Sequence, residues 1–106
     1  MKIDILTLFP EMFKPVISGS ILGKAAEKDI INIQLTDIRD FSNDKHNKAD
    51  DYPFGGGGGM VMMADPIFGA MEAVGAEQKK VIYMSPRGKV LDEDKIKELA
   101  DYDELV

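Results

Sequence analysis

Between Asp44 and Met63 one stretch gathers most of the residue types that could do chemistry. It runs Asp44-Lys45-His46-Asn47-Lys48-Ala49-Asp50-Asp51, then Tyr52-Pro53-Phe54, five glycines from Gly55 to Gly59, and Met60-Val61-Met62-Met63. His46 is the sole histidine; it or Asp50 could act as a general base, an RNA contact or a group that orders the loop by hydrogen bonding. A solvated loop with local Asx turns is the plainer alternative. Each ordered glycine costs about 0.5–1 kcal/mol more backbone entropy than alanine, so five together suggest positive φ or a close approach of backbone to a ligand. A flexible tether is the competing reading, but Tyr52, Pro53, Phe54 and the methionines are poor tether composition and suit anchors at the loop ends. The methionines by themselves read as core packing.

A second candidate is Tyr83-Met84-Ser85-Pro86-Arg87-Gly88, where an apolar run meets turn residues. At the carboxyl end of a strand, backbone groups there could hold an adenine or ribose, with Met84 and Pro86 as apolar contacts; a simple turn is the alternative. Other chemistries are poorly supplied. The glycine run is not followed by Gly-Lys-Ser or Gly-Lys-Thr, so it is no phosphate-binding P-loop. No serine sits in a nucleophile elbow. With no cysteine and one histidine, a zinc site is nearly excluded. A net charge of −6 is the wrong sign for gripping a polyanion by bulk electrostatics.

The elements that must position these residues alternate. Lys2 to Leu8 reads as a strand, ended by Phe9-Pro10. Pro10 and Glu11 open a short helix that Pro15 cuts or bends. Ile21, Leu22, Ala25 and Ala26 recur at helical spacing over 18–28, with Ser18 or Ser20 as N-cap. Residues 31–36 alternate with period two, a strand wet on one face. From about Asp37 to Met63 no period holds, which makes a long loop. Asp65 caps a helix carrying Ile67, Ala70, Met71 and Val74 on one stripe. Lys80 to Met84 reads as a short buried strand, and Asp92 caps a helix that turns Ile96, Leu99 and Ala100 inward. Polar residues then lead into a strand near Leu105. This order predicts an α/β layered domain with a mainly parallel sheet, whose ligands bind at the carboxyl ends of the strands, in the loops after Leu8, Thr36 and Met84. The 106 residues leave room for a single domain. No run reaches the roughly 18 apolar residues of a membrane span and the start lacks a secretory signal, so the expected location is cytoplasmic.

In combination, these stretches are far more specific than any one alone. Leu8-Phe9-Pro10-Glu11-Met12-Phe13, Arg39-Asp40-Phe41, Asp44-Lys45-His46, Asp50-Asp51, the glycine run ending in Gly59-Met60, and Tyr83-Met84-Ser85-Pro86 with Gly88 resemble, in order and spacing, the bacterial tRNA (guanine-N1)-methyltransferases. The resemblance covers essentially the whole chain. It implies the N-terminal part of a SPOUT-type knotted methyltransferase fold with the knot region absent, so that 1–106 is one truncated domain. It also implies S-adenosyl-L-methionine as cofactor, tRNA as partner, a homodimer for the full-length protein, and methylation of N1 of the guanine 3′ of the anticodon.

Residue by residue, the resemblance implies that Tyr83, Met84, Ser85, Pro86 and Gly88 belong to the first cofactor loop. His46, Asp50, Gly55 and Gly59 lie toward the target guanine. Two positions depart from the family pattern: Gly58 stands where proline is common, and Met84 where leucine is common. The Gly-Arg-Tyr-Glu-Gly loop, the substrate-positioning arginine, the aspartate that takes the N1 proton and the tRNA-gripping helical domain are expected downstream. The chain alone therefore holds no catalytic residue and is expected to be inactive. A non-catalytic α/β binding or dimerisation module is the alternative.

Overall fold

Ile3, Ile5 and Thr7 supply the β-branched character, and Leu6 further apolar surface, that make the first segment extended. β1, Lys2–Thr7, is the central strand of a three-stranded parallel sheet. The computed structural model describes residues 1–53 and 56–106. β2, Asn32–Asp37, pairs with β1 over its whole length, from Lys2↔Asn32 to Thr7↔Asp37. The other edge is β5, Glu104–Leu105, again parallel to β1. The mainly parallel α/β sheet read from the sequence is therefore present.

Parallel neighbours need a crossover, and two short helices supply it. α1, Pro10–Ser18, runs through Pro15 rather than stopping there. The carbonyl left without that proline's N–H belongs to Glu11, which is exposed to water. α2, Ser20–Glu27, is capped by neither Ser18 nor Ser20. Ser18 closes α1, its Oγ donating to the Lys14 carbonyl at 2.8 Å, and Ser20 starts α2 at φ 52°. Gly19 occupies the cap position instead. α2 ends in a Schellman turn: Ile30 N–H donates to the Ala25 carbonyl and Asp29 N–H to that of Ala26, with Asp29 at φ 56°.

The expected long loop is more structured than its composition suggests. It opens with a 3-10 turn, Ile38–Phe41, and carries a two-stranded antiparallel ribbon, β3 (Asp50–Asp51) with β4 (Val61–Met62). Met60 and Met62 stay exposed on this ribbon, so they are not core packing. α3, Ala64–Ala73, starts one residue before the expected Asp65 cap and leaves Asp65 in the first turn, where its carboxylate meets the positive end of the helix. The core is small and lies at the carboxyl ends of β1 and β2. Ile38, Ala49 and Ala70 are buried there, and Leu6, Leu8, Phe41 and Ile67 pack around them.

Lys80 to Met84 does not form the expected buried strand. Among the described residues, Glu104–Val106 run beside it. The pairing amounts to a bridge between Lys80 and Leu105, with Ile82 N–H donating to the Val106 carbonyl at 2.7 Å and Val106 N–H to that of Lys80 at 2.9 Å. α4, Glu93–Ala100, is capped by Asp92 as expected, its carboxylate accepting from Lys95 N–H at 2.8 Å. Its apolar face is not turned inward: Ile96 is 52% exposed, Ala100 is exposed, and only Leu99 is half-buried. Among the described residues no helix is long and apolar enough to cross a membrane.

Candidate functional site

Past Ile82 the chain leaves the sheet edge and enters no regular element, and its side chains stand in solvent. Tyr83 and Met84 are 84% and 76% exposed. A tight turn follows because Ser85 offers two acceptors: its carbonyl takes Gly88 N–H at 3.1 Å and its Oγ takes Arg87 N–H at 3.2 Å. The approach is close, since a Cβ on Gly88 would stand 3.3 Å from the Ser85 carbonyl oxygen. α4 faces this segment across an open cleft of about 770 Å³. Tyr83, Met84, Ser85, Pro86 and Gly88 line it together with Leu99, Lys95 and Glu98. The Lys95 ammonium donates to Glu98 at 2.7 Å, and this bond raises the lysine's pKa and lowers the glutamate's. The cleft thus offers apolar and aromatic surface beside a charged helix wall.

The second group of expected residues is organised separately. Asp37 Oδ1 accepts Arg39 N–H at 2.9 Å and so starts the 3-10 turn, which sends the Arg39 side chain toward Asp50, 3.7 Å away. The same guanidinium lies 5.8 Å from the centre of the Phe9 ring. One arginine therefore connects the loop after β1 to the ribbon after β2. Residues 42–48 are held by local bonds: Ser42 Oγ donates to the Lys48 carbonyl, Asp44 N–H donates to Ser42 Oγ at 3.2 Å, and His46 N–H donates to Asp44 Oδ2 at 2.8 Å. His46 orders this turn through its backbone and leaves its ring exposed. Beside it, Asp51 accepts Tyr52 N–H at 2.7 Å and pairs with Lys48 at 3.3 Å; in that order these contacts lower its pKa.

Gly56 to Gly59 lie between the two strands of the ribbon. Met63 N–H donates to the Ala49 carbonyl at 2.7 Å, and Asp50 and Asp51 pair with Met62 and Val61, which fixes both ends. Gly56 and Gly59 have φ of 75° and 85°, which glycine adopts without strain. Among the described residues nothing lies within 4 Å of the Cβ positions of Gly56, Gly58 or Gly59, so these positions are open. Gly55 and Phe54 lie outside the described residues. The structure brings the five expected cofactor residues into one cleft; His46 in the 42–48 turn, Asp50 in β3 and Gly59 in the glycine run are not among its lining residues.

Two charged contacts went unread in the sequence. Arg39 was visible only as part of Arg39-Asp40-Phe41. Asp4 inside an apolar strand was the stronger signal, because a buried carboxylate must find a cation. Its partners are Lys79 at 2.9 Å and Lys2 at 3.6 Å.

The family model for tRNA (Guanine-1)-methyltransferase TrmD matches residues 1–106. The chain belongs to that family. A tRNA (guanine-N(1)-)-methyltransferase of Ruminiclostridium cellulolyticum is 53% identical over 109 residues, covering 100% of this chain and 47% of that relative. The Clostridium tetani protein of the same name is 53% identical over 106 residues, covering 99% and 44%. Among solved structures, the tRNA (m1G37) methyltransferase from Aquifex aeolicus superposes with a TM-score of 0.87 at 26% identity, over 99% of this chain and 48% of that one. This TrmD-family chain therefore spans about half the length of the relatives it matches. Over that span its fold is shared with the Aquifex protein.

Proposed function

We propose that this TrmD-family chain contributes the first S-adenosylmethionine loop and the guanine-facing ribbon of an enzyme that methylates N1 of the guanine 3′ of the anticodon in tRNA. The full-length enzyme is read as a cytoplasmic homodimer of SPOUT type. S-adenosylmethionine, when bound, supplies an electrophilic methyl group on a sulfonium. The observation that carries this reading is that Tyr83, Met84, Ser85, Pro86 and Gly88 share one cleft beside the sheet edge. Its volume suits a nucleoside-sized ligand. Backbone amide and carbonyl groups of this cleft-lining segment can serve a base or ribose, while the exposed Tyr83 and Met84 offer surface to stack on it.

The ribbon does different work. Open glycine positions, two of them with positive φ, let a flat base come against the backbone, and Arg39 holds Asp50 in β3. Alignment of two reactants is what these residues can offer. Removal of the N1 proton is assigned to groups outside this chain, so the chain by itself transfers no methyl group.

Titrating the 15N-labelled protein with S-adenosylmethionine tests the reading. Saturable shifts confined to Tyr83–Gly88 and α4 are expected. Shifts centred on the ribbon, or none at millimolar ligand, would remove the cofactor assignment.

A further inference from the structure

Asp4 is 2% exposed in the central strand and Lys79 is 9% exposed, 75 positions away in sequence. The lysine donates to Asp4 Oδ2 at 2.9 Å and also reaches Glu104 of β5 at 3.6 Å. The ammonium therefore bridges β1 and β5. It does so one residue before the Lys80–Leu105 bridge, where the chain turns into the cleft wall. Beyond that bridge, the wall is tied to the sheet by the two backbone bonds with Val106 already described.

We propose that Lys79 is a positioning residue: seated on Asp4, its ammonium fixes the 80–86 segment at one register along the sheet and so sets the shape of the cleft. A slip of one residue would move the backbone about 3.3 Å. The ammonium would then leave Asp4, and a desolvated carboxylate without its main partner is costly. Two backbone bonds alone resist such a slip weakly, since each is worth little net of water. In some proteins a buried ion pair specifies arrangement more than it adds stability, and here the arrangement specified is that of the loop bearing Tyr83–Gly88. The link to cofactor rests on the function proposed above; the link to register does not.

Amide hydrogen exchange in the unmodified protein and in Lys79→Met, Lys79→Arg and the neutral pair Asp4→Asn/Lys79→Met tests this. Lys79→Met is expected to speed exchange at Ile82 and Val106 roughly tenfold while amides between β1 and β2 keep their protection. Lys79→Arg should restore most of that protection. If Lys79→Met does not fold, the neutral pair is judged by the same criterion. Unchanged exchange at Ile82 and Val106, or equal acceleration throughout the sheet, overturns the proposal, the second result marking a general stabiliser. S-adenosylmethionine affinity should fall in step with the exchange change. If the unmodified protein does not bind S-adenosylmethionine, the cofactor reading fails, and the exchange data still decide the role of Lys79.

Discussion

The Arg39 guanidinium stands 3.7 Å from the Asp50 carboxylate and 5.8 Å from the centre of the Phe9 ring, so one side chain spans two loops at the carboxyl end of the sheet. Both charged groups are about one-third exposed, which screens the pair. Replacing Arg39 with Met should therefore cost only about 0.5–1 kcal/mol of global stability, with the greater effect local to the ribbon. Urea denaturation of Arg39→Met, Asp50→Asn and the double variant measures the coupling. A coupling of several kcal/mol would mean the pair is more desolvated than its geometry shows.

Gly23 faces the end of α1 so closely that an added Cβ would overlap the Ser18 carbonyl group. The obstacle is backbone, which cannot rotate aside as a side chain can. Gly23→Ala should destabilise the protein by about 1–3 kcal/mol despite alanine's better helix propensity. A thermal midpoint unchanged or raised in this variant would show that α1 and α2 can separate freely.

Asp29 holds the left-handed position of the Schellman turn that ends α2, at φ 56°. Glycine takes that conformation without strain, and aspartate does so less easily. Asp29→Gly is expected to raise stability by about 0.5–1 kcal/mol, read as a shift in the denaturation midpoint at constant slope. A loss of stability would mean that the carboxylate contributes more than the strain costs.

These outcomes follow the line between what the sequence makes legible and what it does not. Short-range features were readable: the period-two pattern that gives β2, the Asp92 cap of α4, the turn at Ser85–Gly88, and the stripe of Ile67, Ala70 and Met71 in α3 with Val74 at its C-cap. Each depends on neighbours within about one helical turn or a few strand residues. The ribbon was hidden because two-residue strands carry no period and their pairing joins Asp50 to Met62 across the glycine run. The apolar character of Val81–Met84 signals surface that can be buried but does not supply a neighbour; among the described residues Glu104–Val106 lies beside it, joined through Lys80 and Ile82. Ile96 fails in the same way: a helical stripe announces a face without saying what covers it. As for the candidate site, the cleft residues were named from their motif, whereas Lys79 and Arg39 act through partners far away in sequence.

The Lys79–Asp4 pair also sets a dependence on alkaline pH. Hydrogen bonding to Asp4 is the leading cause that raises the lysine's pKa above its usual 10.5; burial opposes the shift, and the charges of Asp4 and Glu104 add to it. A folded-state pKa above the unfolded one means that the folded protein holds this proton more tightly. The resulting stability is fully present below the usual lysine value of 10.5 and is lost as pH rises through the folded-state pKa. The thermal midpoint should therefore fall more steeply above pH 10.5 in the unmodified protein than in Lys79→Met. Other lysines and tyrosines titrate in the same range, so the difference between the two curves is the quantity that reports on this pair. Parallel curves would mean that Lys79 is no better held in the folded state than in the unfolded chain, against the 2.9 Å contact with Asp4.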